Sequence, residues 1–507
     1  MFRSLDKKLL AFLFFALCTG TGSGFAQSSA STAQSGQLLA SSLVKVGLYA
    51  PSDLTSKLSE GWISKKLLSG VYAPVCSVVV FHYEYSTAGG AGEATTSSAA
   101  LMIPIGTDSS CLGPRPVILY AHGQKDRQSY NIADFTRSDN EEGVLVALAY
   151  AARGYVVIAS NYAGYDTSTL GYHPFVNADQ QSKEMLDALT AGEAALVTQG
   201  IAGNGKLFVA GYSEGGYVAM ATHRALQAAG MPVTASAPMS GPYALSASGD
   251  AGFMGQVGQG AVGQFVMLAS SYQHAYGNLY TVPTEVFEAK YASAVDSLPS
   301  VDGADALVAQ GLLPTAVFNN TPPTPELASI TPATEPSNLA SVFAMGFGPD
   351  NLVTNSYRLD YLVDAAAAPD GGFPNTTTTL PPAQPKNGLR IDLKTNDLRN
   401  WSPAAPMLLC AGNADPVVFY LNTQLMQAYW ALNAPESPVT FLDVDSSPFN
   451  GDPFRAIKAA FAAGKVAVEI EAFFHGESRK KAVLNEYHGT LVAAACMLAS
   501  RSFFDGM

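Results

Sequence analysis

The sequence predicts an α/β fold with a mostly parallel central sheet, helices on both of its faces and a large inserted segment. From residue 117 to 241, short apolar stretches alternate with helix-forming ones, as in a parallel sheet. One apolar stretch, Leu207–Ala210, runs directly into Gly-Tyr-Ser-Glu-Gly. The alternation stops near Gly241 and resumes at Pro406. Such a long interruption inside a compact domain predicts an inserted cap.

The elements follow in chain order. Residues 76–85 and 95–103 are rich in β-branched and aromatic residues and flank a glycine-rich turn, which predicts an antiparallel hairpin. Strands are then predicted at residues 117–120, 155–159, 207–210, 233–238, 406–411 and 439–444, and helices at 143–152, 179–199, 217–226, 418–432 and 490–503. Residues 242–400 instead contain glycine-rich apolar pieces, an aromatic patch and a Pro/Thr-rich stretch.

The N-terminus has the pattern of a secretory signal peptide. Basic residues precede a short apolar run over residues 9–18, and small residues follow up to Ala26. We therefore predict a signal peptide over 1–26, a leader and N-terminal segment over 27–70 (with a mobile stretch at 27–45), a catalytic domain over 71–241 and 401–507, and a cap over 242–400. The predicted location is extracellular or periplasmic, without stable membrane insertion.

Charge and cysteines add two expectations. The net charge of −13 disfavours nucleic acid and anionic membrane surfaces as partners. Four cysteines follow the signal peptide, and an exported chain permits disulfides. Cys76 and Cys111 bracket the predicted hairpin, so we expect them to pair. For Cys410 and Cys496, a bridge and two buried free thiols both remain open.

Ser213 is the predicted nucleophile, because it lies in Gly-x-Ser-x-Gly between a predicted strand and a predicted helix. In that setting the pattern indicates a strained turn that lifts the hydroxyl clear of the sheet. Gly211 and Gly215 lack the Cβ atoms that would collide with neighbouring elements. A chance match in a glycine-rich chain is the alternative, and the flanking strand and helix argue against it.

A serine hydroxyl needs a base within hydrogen-bond reach and a carboxylate that orients the base. In chains with this strand–turn–helix pattern the order is serine, acid, histidine, so only His475 and His488 qualify. We favour His488, on a loop directly before an apolar helix, over His475, which polar residues follow. Asp415 is the predicted acid because it lies just past the end of a strand. The alternatives are Asp443 and Asp445, at the end of the next strand.

The backbone N–H groups of Glu214 and Gln124 are predicted to form the oxyanion hole. Glu214 follows the nucleophile, and Gln124 follows His122-Gly123 at the end of a strand. Gly123 would let the backbone approach the substrate, while His122 is expected to shape the loop through hydrogen bonds rather than act as a base.

Together these motifs resemble the α/β-hydrolase superfamily and, within it, the secretory lipase and esterase group. Three features carry the second resemblance: the Gly-Tyr-Ser-x-Gly-Gly elbow, the segment 161–164 followed by Tyr-His-Pro at 172–174, and the large insertion before the acid. The resemblance implies that residues 242–400 help to form an acyl-binding tunnel. Glu214 departs from the group, since glutamine or glycine is common there. The long segment between acid and histidine keeps His475 open.

These observations predict a secreted serine hydrolase that cleaves small or lipid-like carboxylic esters through an acyl-enzyme, without a metal or organic cofactor. A serine peptidase on the same fold is one alternative, although the few charges of the cap indicate no anchor for a peptide terminus. A non-catalytic binding protein that keeps the fold is the other.

Overall fold

The computed structural model describes residues 35–57 and 72–507. The predicted signal peptide lies outside these residues. Within the described ranges, no helix is both long enough and apolar enough to cross a membrane.

A nine-stranded mixed sheet forms the centre of the fold. Its strands lie in the order β1-β2-β3-β5-β4-β6-β7-β10-β11. β1 to β3 are antiparallel neighbours, and the strands from β5 to β11 in that order are parallel. The bounds are β1 Val44–Tyr49, β2 Ser77–Ala88, β3 Ala94–Ile105, β4 Arg115–Ala121, β5 Val156–Ser160, β6 Gly203–Tyr212, β7 Ala235–Met239, β10 Met407–Ala411 and β11 Val439–Asp443. The mostly parallel sheet of the predicted fold class is confirmed.

The strand order places a topological switch point at β4. The chain runs from β4 to β5 on one side and then returns to place β6 on the other side. In open α/β sheets, ligands bind at the carboxyl ends of the strands where the order reverses. The segments that follow β4 and β6 therefore meet at the expected position of a site.

Helices surround this sheet. Those outside the insertion are α1 Pro51–Lys57, α2 Glu141–Ala149, α3 Ala178–Thr198, α4 Glu214–Ala228, α11 Leu421–Asn433, α12 Arg455–Phe474, α13 Arg479–Glu486 and α14 Ala493–Asp505. α3 and α4 pack against each other, α4 also contacts β4, β6 and β7, and α14 contacts β6, β7 and β10. β4, β5, β7 and β10 are buried along nearly their whole length, whereas β6 is buried only from Phe208 to Tyr212.

The sheet begins earlier in the chain than the sequence predicts. β1 pairs with β2, and Leu38 forms an isolated bridge with Tyr85. Leu38 and β1 thus pair with β2, so part of the stretch predicted to be mobile, 27–45, contacts the sheet, and the sheet extends ahead of the predicted domain start at 71. Most β1 side chains are exposed, so the strand lacks a buried apolar face, which is the signal that sequence reasoning uses. Its pairing with β2 decides its conformation.

Between β7 and β10 the chain leaves the sheet for some 165 residues. This segment contains α5 Leu245–Phe253, α6 Ala261–Tyr276, α7 Ala304–Ala309, α8 Ala340–Phe343, α9 Asn355–Ala367 and α10 Gly388–Thr395, with the two-residue strands β8 Phe318–Asn319 and β9 Phe347–Gly348 paired to each other. Two buried arginines cross-link it. Arg390 pairs with Asp250 and Asp364, and Arg399 with Asp370 and Asp397.

Two disulfides link elements of the fold. Cys76 and Cys111 are bonded, as are Cys410 and Cys496. The second bridge joins β10 to α14, so the alternative of two free thiols there is not what the structure contains. It connects the strand that leads to Asp415 with the helix that follows His488.

Candidate active site

Ser213 lies in a strained turn between β6 and α4. Its φ of 60° is in the left-handed region, which a non-glycine residue rarely adopts. The flanking glycines are required by close backbone contacts. A Cβ at Gly211 would lie 2.1 Å from the Gly215 carbonyl oxygen, and one at Gly215 would lie 2.0 Å from that of Ala121. The Ser213 N–H donates to the Met239 carbonyl, which fixes the turn to β7.

His488 is in contact with the serine. Its Nε2 lies 2.8 Å from Ser213 Oγ. The structure places it not on a loop but in a π-helical turn, Tyr487–Val492, continuous with α13 and α14. The wider turn has no sequence signal of its own. The Tyr212 hydroxyl donates to the His488 carbonyl oxygen, which positions the turn against the elbow.

Asp415 is fully buried and completes the series of contacts. Its Oδ2 lies 2.7 Å from His488 Nδ1. Its Oδ1 accepts from the N–H groups of Val417 and Val418 at 2.9 and 3.1 Å. Both carboxylate oxygens therefore have partners, and the carboxylate can hold the ring in the tautomer with Nε2 free to accept a proton.

The alternative residues lie elsewhere. Asp443 accepts from the side chain and N–H of Asn413. Asp445 accepts from Lys465 and from the Tyr487 hydroxyl, both at 2.7 Å. His475 lies at the exposed C-terminal end of α12, where its N–H donates to the Glu471 carbonyl.

The loop after β4 packs directly against the elbow. A Cβ at Gly123 would lie 3.4 Å from Ser213 Cβ. Glu142 holds this loop, because its carboxylate accepts from the Gly123 N–H at 3.0 Å and pairs with Lys125 at 3.1 Å. Within residues 35–57 and 72–507, the backbone N–H groups of Gln124 and Glu214 donate to no protein acceptor. Both N–H groups are thus free of a protein partner within these residues.

His122 is buried behind this loop rather than beside the serine. Its Nδ1 lies 2.7 Å from the Gly123 carbonyl oxygen and its Nε2 3.1 Å from that of Asn161. Burial lowers its pKa below the usual value. These backbone contacts fit the predicted role in shaping the loop.

The Glu214 side chain forms a second buried pair that sequence reasoning missed. Its Oε1 lies 2.6 Å from His173 Nε2 and accepts from Gln181 at 2.7 Å. The other ring nitrogen of His173 lies 3.0 Å from the Ala163 carbonyl oxygen. Burial alone would lower the pKa of His173, but the charge and hydrogen bond of Glu214 outweigh burial and raise it. The unusual residue after the nucleophile thus has a buried partner, on the Tyr-His-Pro segment.

Two cavities meet at Ser213. The first, the apolar cavity, has a volume of about 210 Å³. The inserted segment supplies most of its lining, including Leu245, Phe253, Phe265, Phe318, Leu389 and Leu393. The second, which we call the polar cavity after its charged residues, has a volume of about 390 Å³. It is lined by His488, by charged residues of the β4 loop and α2, and by apolar residues, namely Lys125, Asp139, Glu141, Glu142, Leu145, Val417, Ala493, Ala494 and Met497. Four residues line both cavities, namely Ser213, Gln124, Gln264 and Val417.

Comparisons with known proteins agree with this architecture. Residues 144–238 match the profile of the Prolyl oligopeptidase family. The chain is similar to the crystal structure of the rice cell wall degrading esterase LipA from Xanthomonas oryzae, with a TM-score of 0.66 and 23% identity over 92% of this chain and 98% of that one. It is also similar to a putative hydrolase from Legionella pneumophila, with a TM-score of 0.60 and 19% identity over 84% and 96%. No curated protein sequence matches the chain.

Proposed function

We propose that this chain, which has the α/β-hydrolase fold, is a serine hydrolase that cleaves carboxylic esters through an acyl-enzyme. One observation carries the proposal: Ser213, His488 and Asp415 form an unbroken series of hydrogen-bond contacts, and Ser213 lines an apolar cavity. The esterase LipA shares the fold, so ester cleavage is a chemistry that the fold accommodates.

In this mechanism Ser213 Oγ attacks the ester carbonyl carbon while His488 Nε2 takes the hydroxyl proton. Asp415 stabilises the imidazolium that forms. The N–H groups of Glu214 and Gln124 bind the oxyanion of the tetrahedral intermediate. His488 then returns the proton to the alcohol oxygen, the alcohol leaves, and water repeats the sequence on the acyl-enzyme. No metal or organic cofactor is required.

The two cavities give the ester an orientation. The leaving alcohol must lie on the side of the histidine that protonates it, and His488 lines only the polar cavity. The alcohol therefore occupies the polar cavity and the acyl chain the apolar one. The preferred acyl group is therefore apolar.

Two glycines allow this orientation to be tested. A Cβ at Gly252 in the apolar cavity, or at Gly489 in the polar one, would meet no atom within 4 Å. Gly252→Leu should lower kcat/KM about tenfold or more for long acyl chains but spare acetyl esters. Gly489→Leu should instead lower kcat/KM for esters of bulky alcohols. If Gly252→Leu instead affected bulky alcohols and Gly489→Leu affected long acyl chains, the ester would be bound in the reverse orientation. If both variants affected every ester equally, neither orientation would be supported.

A peptidase is the second candidate, because the family profile matched over residues 144–238 is that of the Prolyl oligopeptidase family. A panel of p-nitrophenyl esters of graded acyl length, assayed beside aminoacyl p-nitroanilides, separates the two. We expect turnover of the esters that Ser213→Ala abolishes. Efficient cleavage of the anilides with negligible ester turnover would establish the peptidase, and inertness towards both panels would favour a binding protein.

We also propose that the protein is exported after removal of residues 1–26. The two disulfides support an oxidising compartment. Mass spectrometry of protein secreted by the native host should find Gln27 at the N-terminus, and an intact Met1 in that material would contradict this proposal.

A further inference from the structure

A helical hairpin formed by α12 and α13 carries an exposed apolar strip. Four of its side chains are 45 to 79% exposed, namely Val466, Ile470, Phe473 and Phe474. The first three are spaced four and three residues apart, so they share one side of α12. We call these four residues the apolar strip.

The strip is not the side of α12 that packs on the protein. Phe461, Val468 and Ala472 are buried on the opposite side, and Gly464 lies among them. α12 is thus apolar on both sides, whereas a helix on a water-exposed surface normally has one polar side. Two adjacent exposed phenylalanines at the end of a helix present apolar surface to water, which is unfavourable unless another surface covers them.

Basic residues adjoin the strip. Arg479, Lys480 and Lys481 follow the turn and are exposed. The Arg479 guanidinium lies over the Phe473 ring, 4.7 Å from its centroid. Lys458 and Lys465 pair with Asp452 and Asp445, so they add no free positive charge to the hairpin. At the tip, residues 473–481 contain three Lys or Arg and one Glu, whereas the whole chain contains 28 Lys or Arg against 41 Asp or Glu. The tip of the hairpin is therefore locally basic on an acidic protein.

Local charge governs contact with a surface, because salt screens charges beyond about 8–10 Å at physiological ionic strength. The negative net charge of the whole chain disfavours contact with anionic membranes in general. It does not prevent contact at the tip of this hairpin, because the distant negative charges are screened there. A surface that combines exposed aromatic side chains with adjacent Lys and Arg has the chemistry that binds the headgroup region of an anionic bilayer.

The hairpin is also continuous with the candidate site. α13 ends at Glu486, and the turn that holds His488 begins at the next residue. The Tyr487 ring packs on Phe461 of α12, with centroids 5.6 Å apart. The strip and the proposed base thus belong to one packed unit.

We propose that this hairpin docks the protein on an anionic lipid surface, with the apolar strip entering the headgroup region and Arg479, Lys480 and Lys481 binding the phosphates. This function goes beyond ester cleavage and does not depend on it. Docking would bring the candidate site to esters that reside in the bilayer.

The test is vesicle co-sedimentation of the full chain carrying Ser213→Ala, so that no lipid is hydrolysed. Vesicles of phosphatidylcholine alone are compared with vesicles that also contain phosphatidylglycerol, at low and high salt. We expect binding to the anionic vesicles that high salt weakens. The double variants Phe473→Ser/Phe474→Ser and Lys480→Glu/Lys481→Glu should each weaken binding about tenfold or more.

A matched control removes exposed apolar side chains elsewhere. Val197 and Leu432 are 77 and 63% exposed, and Val197→Ser/Leu432→Ser should leave vesicle binding unchanged. Each hairpin variant, made in the chain that retains Ser213, should keep wild-type turnover of a water-soluble ester, which shows that the fold is intact. Equal vesicle binding by wild type and hairpin variants would overturn the proposal. So would a wild-type dimer that Phe473→Ser/Phe474→Ser dissociates, in a protein that binds no vesicles, because the strip would then cover a second copy of the chain.

Discussion

Two buried histidine–carboxylate pairs contact the nucleophile elbow and differ in what the second ring nitrogen contacts. His488 contacts Asp415 through Nδ1 and Ser213 through Nε2. His173 contacts Glu214 through Nε2, and its Nδ1 faces the Ala163 carbonyl oxygen. The contact distances to the carboxylates are nearly equal, at 2.7 and 2.6 Å.

A short histidine–carboxylate contact therefore does not by itself indicate catalysis. His488 has one nitrogen directed at a hydroxyl that can give up its proton, so it can act as a base. Both nitrogens of His173 face acceptors, a carboxylate and a carbonyl, which favours a ring protonated at both positions. We therefore assign proton transfer to the first pair and positioning of the elbow to the second.

Of the two carboxylates, Asp415 should have the larger effect on turnover when it is replaced by its amide. Asp415→Asn should lower kcat by about 10⁴-fold, because the imidazole loses the partner that fixes its tautomer. The fold should persist, which circular dichroism of the variant checks. Near-wild-type turnover would contradict the assignment of the acid and return Asp443 and Asp445 to consideration.

A smaller loss of turnover is expected when the pair of Glu214 and His173 is disrupted. Glu214→Gln removes the charge that holds His173 but leaves the backbone N–H in place, so kcat should fall by about tenfold or less with KM little changed. Loss of a whole oxyanion-hole donor costs about 10²–10³-fold, so an effect of that size would mean that the pair does more than position the turn. Steady-state kinetics on one soluble ester gives both parameters.

A still smaller effect is expected on the free energy of unfolding, which should depend on pH through His173. Glu214 raises the pKa of His173 above 6.5, so the folded protein holds that proton more tightly than the unfolded chain. The contribution is fully present below pH 6.5 and is lost as pH rises through the raised pKa. Denaturant unfolding of wild type and Glu214→Gln should show a difference in unfolding free energy that shrinks as pH rises above 6.5. A difference that grows with pH would contradict the protonated state of His173.

Sequence reasoning succeeds here where chemistry is encoded locally. The elbow is a contiguous motif, and its glycines are explained by backbone contacts within a few ångströms of Ser213. The required order of serine, acid and histidine reduced the candidate bases to two, and the structure brings His488 rather than His475 to the serine.

What the sequence could not supply depends on tertiary contacts. His173 and Glu214 are 41 residues apart, and Glu142 reaches the Gly123 N–H from α2. Neither Glu214 nor Glu142 belongs to a sequence motif from which its partner could be predicted. The resemblance marked Tyr-His-Pro at 172–174 and the unusual Glu214 as separate features, and only the packing of the two segments shows that they are one contact. β1 was missed for a related reason, since its pairing with β2 rather than its own pattern makes it a strand.

The most direct test of the central claim, that His488 makes Ser213 nucleophilic, is covalent labelling with a fluorophosphonate probe followed by peptide mass spectrometry. We expect one modified peptide with the label on Ser213, labelling slowed by orders of magnitude in His488→Ala, and wild-type labelling in His475→Ala. A label on another residue, or equal labelling rates in wild type and His488→Ala, would contradict it.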